Sequence, residues 1–329
     1  MSVLVGPGGQ LRWGWRLALF VLLLVGLSFL LGGVASGLLP GLRRGAAPTP
    51  FTGLSLTLVA ALLSSWVAAD RLEGVSLAAL GLPLDRRVPS EAGRGFLLGG
   101  GLITASVVLL AVTGALGWRT EVGPAGPGLR GVAAATLFLA MGALEEELLF
   151  RGYPLQLLAG RIGGPAAVGV TAVAFGLMHA FNPGLNPVAL VNLVLAGILL
   201  GTVYWRTSSL WYAAGVHLGW NWVMAVAADL PVSGIAPGRP GFGFLDAPGY
   251  DAVLHGPAWW TGGTFGPEAG LAVSLVTLVA IAWAARTPRL RASGSDRPEP
   301  LPARLRSRRA DAAPAGRRWD PIDREDEGR

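Results

Sequence analysis

The 329-residue chain contains no cysteine, no lysine and only three histidines. The absence of cysteine excludes disulfides, thiolate metal ligands and a cysteine nucleophile. No G-x-S-x-G sequence is present, so nothing indicates a serine hydrolase of the nucleophile-elbow type. Charge is also scarce, because 14% of the residues are charged whereas 52% are hydrophobic, and the mean hydropathy is +0.53. This composition argues against a soluble globular domain and predicts a membrane protein.

Uncharged apolar runs of helical length recur along the chain, as a hydrocarbon core of ~30 Å requires. They predict an all-α, polytopic membrane protein with about eight transmembrane helices. The first run is preceded by Arg12 and Arg16 but is longer than the apolar region of a cleaved signal peptide, so a retained helix is expected. The predicted spans are residues 17–39, 51–69, 95–118, 131–159, 163–181, 185–205, 210–228 and 269–285.

The chain divides into three regions by composition. Residues 1–130 hold about three N-terminal transmembrane helices, and residues 131–286 form a transmembrane core that carries the polar residues described below. Residues 287–329 mix Arg, Asp, Glu, Pro and Ala with few large apolar groups, so this charged tail is predicted to be disordered. Residues 75–84 are too short to span and are expected to be interfacial or re-entrant.

Arginine placement predicts the orientation. Eight spans put both termini on one side of the membrane, and the Arg-rich tail indicates that this side is the cytoplasm. The long connection over residues 230–267 then lies outside. The sequence pI of about 10.8 does not indicate nucleic-acid binding, because much of the charge lies in loops and tail without an aromatic-interleaved basic stripe.

Three consecutive acids, Glu145, Glu146 and Glu147, interrupt an otherwise uncharged stretch within the fourth predicted span. Carboxylates placed in hydrocarbon cost several kcal/mol unless they are paired or face a polar cavity, so they mark a functional site by default. Glu147 and Arg151 are four residues apart on a helix and can pair. Glu146 then points in another direction and stays available.

Two of the three histidines lie inside predicted spans. Phe175 and His179 share a helix face, and so do His217 and Asn221, because each pair is four residues apart. A carboxylate with an imidazole can position and deprotonate a water molecule. A second imidazole with an amide can stabilise the oxyanion that forms when this water attacks a carbonyl. Together with Glu146, these residues predict an amide-hydrolase site.

The same residues resemble the CAAX prenyl protease and bacteriocin-processing (CPBP, also called Abi) family of intramembrane glutamic endopeptidases. That family carries E-E-x-x-x-R, F-x-x-x-H and H-x-x-x-N on successive helices. The three motifs stand here as Glu146-Glu147-Leu148-Leu149-Phe150-Arg151, as Phe175 to His179, and as His217 to Asn221. The resemblance covers about residues 131–228, and Glu145 is an acid in addition to the family motif.

The resemblance implies a metal-independent CAAX-type endopeptidase that needs no cofactor and acts on a membrane-associated peptide or protein at the lipid bilayer. It implies that the catalytic residues are Glu146, His179, His217 and Asn221, and that Glu147, Arg151 and Phe175 support them. The lack of lysine and the compact core suggest a bacterial chain, so the bacterial inner membrane is the expected location.

Two other functions stay open on the residues alone. The first is a zinc-dependent membrane protease with Glu146, His179 and His217 as ligands, although the compact H-E-x-x-H pattern is missing. The second is a non-enzymatic transporter or scaffold in which the acids and histidines form a relay or a structural network. Inverted internal repeats would favour transport, and none is visible in the sequence.

Overall fold

A computed structural model describes residues 3–6, 11–39, 49–120, 128–236 and 250–291, together with positions 41 and 238. This part of the chain is mainly helical, which confirms the predicted all-α polytopic architecture. The predicted disordered tail lies outside the described residues from position 292 onward.

The helices follow one another along the chain with short connections. They are α1 Trp13–Leu38, α2 Pro50–Val67, α3 Val88–Val112, α4 Gly128–Glu147, α5 Tyr153–Ile162, α6 Gly164–Met178, α7 Pro187–Thr207, α8 Leu210–Trp222, α9 Ala258–Thr261 and α10 Leu271–Arg286. Three π-helical segments extend α2, α4 and α8, over Ala68–Leu72, Leu148–Gly152 and Val223–Ala227. Short 3₁₀ turns occur at Leu77–Leu80, Gly263–Phe265 and Pro267–Ala269.

Four helical stretches in the described residues are long and apolar enough to cross a membrane, and two further apolar helices are shorter. Each of the eight predicted spans contains a helix. The four long stretches are Trp13–Leu38, Pro50–Leu72, Val88–Val112 and Pro187–Thr207, and the shorter ones are Gly164–Met178 and Leu271–Arg286.

The prediction of one continuous helix over residues 131–159 was wrong. The chain is π-helical from Leu148 to Gly152, and Gly152 then leaves the helical region with a ψ of −117° before α5 begins. Pro154 explains the break, because a proline has no N–H and its ring clashes with a preceding helical turn. It is tolerated only in the first turn of a new helix, where this structure places it.

A two-stranded antiparallel sheet was also not predicted. The span expected to reach residue 118 ends at Val112, and the chain continues into β1 (Leu116–Thr120), which pairs with β2 (Tyr250–Leu254). The Trp118 indole N–H donates to the Ala228 carbonyl at 3.0 Å. The sheet therefore contacts the end of the π-helical segment that extends α8.

The closest helix contact in the core joins α3 to α8. A Cβ added to Gly99 would lie 1.9 Å from the Val216 carbonyl oxygen, and one added to Gly219 would lie 2.1 Å from that of Phe96. A Cβ added to Gly95 or Gly215 would lie similarly close to backbone atoms of the facing helix. Small residues four apart let two membrane helices approach backbone to backbone. This contact fixes the position of α8, which carries His217 and Asn221.

A buried ion pair ties the first helix to the region after the α4 break. The Arg16 guanidinium donates to both carboxylate oxygens of Glu73, at 3.0 and 2.9 Å. The Tyr153 hydroxyl, at the start of α5, donates to Glu73 Oε1 at 2.8 Å. All three side chains are buried. Because the three groups satisfy one another, the pair is tolerated in an apolar interior.

Candidate active site

The predicted site residues come from three separate parts of the helical core. Glu146 and Glu147 end α4, and Arg151 lies in the π-helical segment that follows. His179 directly follows α6, while His217 and Asn221 lie one turn apart on α8. The structure brings the side chains of Glu146, Glu147, Arg151, His179 and His217 together, and Asn221 lines a cavity beside His217.

Glu147 and Arg151 form a fully buried ion pair. Arg151 Nη1 donates to Glu147 Oε1 at 2.9 Å, and Nη2 donates to the Gly197 carbonyl of α7 at 3.2 Å. The guanidinium carbon lies 4.6 Å from the centre of the Phe175 ring, which is within cation–π range. Arg151 therefore joins the end of α4 to α6 and α7.

Glu147 also contacts His217, which sequence analysis did not predict. His217 Nδ1 lies 3.2 Å from Glu147 Oε1, the oxygen that also accepts from Arg151. An ionised carboxylate can only accept hydrogen bonds, so Nδ1 carries the proton. This contact fixes the imidazole with its other nitrogen, Nε2, turned toward Glu146.

Glu146 faces both histidines. Its Oε2 atom lies 3.9 Å from His179 Nε2 and 3.8 Å from His217 Nε2, too far for direct hydrogen bonds. His179 Nδ1 lies 2.8 Å from the Phe175 carbonyl, which can only accept, so the lone pair of a neutral His179 is on Nε2. Among the described residues, Glu146 Oε2 has no hydrogen-bond partner. A water or a substrate polar group can bridge such separations.

Asn221 and Glu145 have different surroundings. The Asn221 carboxamide is half-buried, lines the cavity described below and makes no hydrogen bond to another described residue. Glu145, the additional acid, lies beside Thr57 of α2. Within the described ranges it does not come within 4 Å of a ring nitrogen of His179 or His217, whereas Glu146 does.

The three groups of the zinc alternative, Glu146, His179 and His217, converge in space. Even so, no set of three or more His, Asp or Glu side chains in the described part of the chain has a geometry suited to holding a metal ion.

Glu268, a buried acid in the Pro267–Ala269 turn before α10, is not among the site residues predicted from the sequence. The Trp220 indole donates to its Oε1 at 3.1 Å, and the Ser233 backbone N–H donates to its Oε2 at 2.6 Å. Burial raises the pKa of the Glu268 carboxyl, and hydrogen bonding from Ser233 opposes this shift. The sequence signal that could have indicated Glu268 is its position directly before an uncharged apolar run.

Glu268 lines a cavity of about 30 Å³ together with residues of the predicted site. The lining includes Phe175, His217 and Asn221 of the predicted site, and it also includes Trp220, Ser233 and Glu268. The site and this cavity therefore share α8 as a common wall.

Comparison with known proteins agrees with the geometry. Residues 128–223 match the family model described as type II CAAX prenyl endopeptidase Rce1-like. This segment, less than a third of the chain, is similar to the Rce1-like family. The Rce1-like segment begins at the first residue of α4 and extends just past Trp222, so it contains every predicted site residue and leaves out Glu268. The match confirms the predicted resemblance and, with the long apolar helices, indicates a membrane endopeptidase. No curated protein and no solved structure matches the chain.

Proposed function

We propose that this chain is a metal-independent glutamic endopeptidase that hydrolyses a peptide bond of a membrane-associated substrate. The observation that carries the proposal is the position of Glu146 Oε2, which is buried without a hydrogen-bond partner and faces the Nε2 atoms of both histidines. A water held beside this oxygen is within reach of the Glu146 carboxylate, which can act as the base, and of both imidazoles.

The first step is attack of this water on the substrate carbonyl carbon. Glu146 accepts the water proton, while the Nε2 lone pair of His179 accepts a hydrogen bond that orients the water. The new C–O bond forms as the carbonyl π electrons move to oxygen. In the second step the C–N bond breaks, and the departing nitrogen takes the proton from Glu146, which regenerates the carboxylate.

The oxyanion needs hydrogen-bond donors that are already in position. Asn221 supplies its amide N–H, which makes no hydrogen bond within the described residues. His217 supplies Nε2–H when its imidazole is protonated. The carboxylates of Glu146 and Glu147, with the single arginine, leave a net negative charge beside this imidazole. Arg151 and Glu147 hold the helices without contacting the reacting atoms.

The test is cleavage by protein purified in detergent, using a library of internally quenched peptides, with and without a chelator. We expect cleavage that persists in the chelator. Activity that the chelator abolishes and zinc restores would replace the glutamate mechanism with the zinc alternative. If correctly folded protein cleaves no peptide, the transporter or scaffold alternative takes its place.

We also propose that the chain is a multi-pass protein of the bacterial inner membrane with both termini in the cytoplasm. The arginine distribution supports this orientation. The division into residues 1–130, a catalytic core over 131–286 and a tail over 287–329 is part of the same proposal. Reporter fusions after Arg206 and at the C-terminus should report the cytoplasm, and one within residues 230–267 should report the outside. An external C-terminus would contradict the eight-span arrangement.

A further inference from the structure

The cavity beside the site has walls of two kinds. The α7 wall is aliphatic and consists of Leu193, Ala196, Leu199 and Leu200. The polar end is formed by Ser233 and Glu268. Because His217 and Asn221 form another wall, a group in this cavity lies next to the position proposed for the oxyanion.

The carboxylate of Glu268 has capacity for one more hydrogen bond. It accepts from the Trp220 indole, the Ser233 backbone N–H and, at 3.3 Å, the Ser233 hydroxyl. A carboxylate offers about four acceptor positions. These three donors are neutral, and no arginine in the described ranges forms an ion pair with it. A ligand that brings a hydrogen bond to this end of the cavity would therefore be stabilised.

The size of the cavity limits the ligand. A volume of about 30 Å³ is room for two or three water-sized groups, since one such group needs roughly 10–15 Å³. This favours a short side chain over those of lysine, arginine and the aromatic residues. A hydroxyl can both donate and accept, so it complements a carboxyl group in either protonation state.

We propose that this cavity is a substrate subsite that receives a short side chain ending in a hydroxyl, serine or threonine, next to the scissile bond. The inference rests on the proposed function for the scissile bond, but binding of the side chain can be measured separately. Ala196 and Glu268 are the two residues that determine the selectivity, through the width of the cavity and through its polar end.

The experiment uses sets of internally quenched peptides. Within a set, the peptides differ only at one position, which holds Ser, Thr, Ala, Val or Lys, and a separate set is made for each position of the peptide. The active chain is assayed for cleavage, and the Glu146→Gln variant is assayed for binding of the same peptides by fluorescence anisotropy. At one position beside the cleaved bond, we expect Ser and Thr to be preferred at least ~10-fold over Val and Lys, as for a pocket that hydrogen-bonds a hydroxyl.

Two variants probe the cavity in the same assays. Ala196→Leu fills it and should abolish the preference, whereas Val191→Leu, on the exposed side of α7, should preserve it. Glu268→Gln should reduce the ratio of Ser to Ala at that position. Should Glu268→Gln fail to fold, Ala196→Leu still tests the subsite.

The two assays separate this inference from the proposed function. The subsite is overturned, while the protease function stands, if peptides are cleaved with no preference at any position. The same holds if Ala196→Leu leaves the preference intact. Hydroxyl-selective binding without cleavage by the active chain supports the subsite and contradicts the protease function. The absence of both cleavage and selective binding overturns both.

Discussion

Glu147 and His217 are 70 residues apart in sequence, yet His217 Nδ1 lies 3.2 Å from Glu147 Oε1 in the middle of the helical core. Arg151 donates to the same oxygen at 2.9 Å. One buried carboxylate therefore holds both a guanidinium and an imidazole. It also links the end of α4 to α8, so the position of the histidine depends on the Glu147–Arg151 ion pair.

Replacement of Glu147 by glutamine should destabilise the fold strongly. The change leaves Arg151 as a buried cation without its carboxylate, and breaking such a pair costs about 3–5 kcal/mol. The measurement is the free energy of unfolding in detergent. Glu145→Gln is the matched control and should cost less than about 1 kcal/mol, since Glu145 has no arginine partner in the described residues. Removing both charges in Glu147→Gln/Arg151→Met should recover part of the loss, and equal stability of the two single variants would contradict the assignment.

Gly99→Ala should separate α3 from α8. The added methyl group would lie 1.9 Å from the Val216 carbonyl oxygen, so the helices must move apart. Overpacking of this kind costs about 1–3 kcal/mol. A shift of α8 by even about 1 Å can lower kcat ~10²-fold. Gly101→Ala, with nothing within 4 Å of the new atom, should preserve both stability and activity. Gly99→Ala protein with unchanged melting temperature and kcat would show that the close contact is not required.

Asn221→Ala should lower kcat by ~10²–10³ with little change in KM, because an oxyanion donor acts in the transition state more than in substrate binding. The control is Asn186→Ala, which removes the side-chain cap of α7 and should cost about 1 kcal/mol of stability without lowering kcat. Initial rates over a range of concentrations of one cleavable peptide separate the two constants. A rise in KM alone would assign Asn221 to substrate binding.

The predictions from sequence that succeeded rest on local patterns. Apolar runs located a helix in each predicted span, because a span needs a certain length of uncharged chain. The i,i+4 spacing predicted the pair of Glu147 with Arg151. Glu146, His179 and His217 were expected to converge because each polar group would be left unsatisfied if isolated in lipid, and they lie close together in the structure.

The features that were missed depend on contacts between distant parts of the chain. Glu268 joins the site through Trp220, 48 residues earlier, and Tyr153 reaches Glu73 across 80 residues. No sequence period encodes such pairs. The helix break at Gly152 is different, since Pro154 was a local signal that the long apolar run concealed.

The most direct test of the account is the comparison of Glu146→Gln with Glu145→Gln on one cleavable peptide, with amounts of folded protein matched. Glutamine keeps the size of the side chain but removes the base, so Glu146→Gln should lower kcat at least ~100-fold. The kcat of Glu145→Gln should stay within a fewfold of the kcat of the unaltered chain. Activity retained by Glu146→Gln and lost by Glu145→Gln would contradict the assignment of Glu146 as the group that activates water.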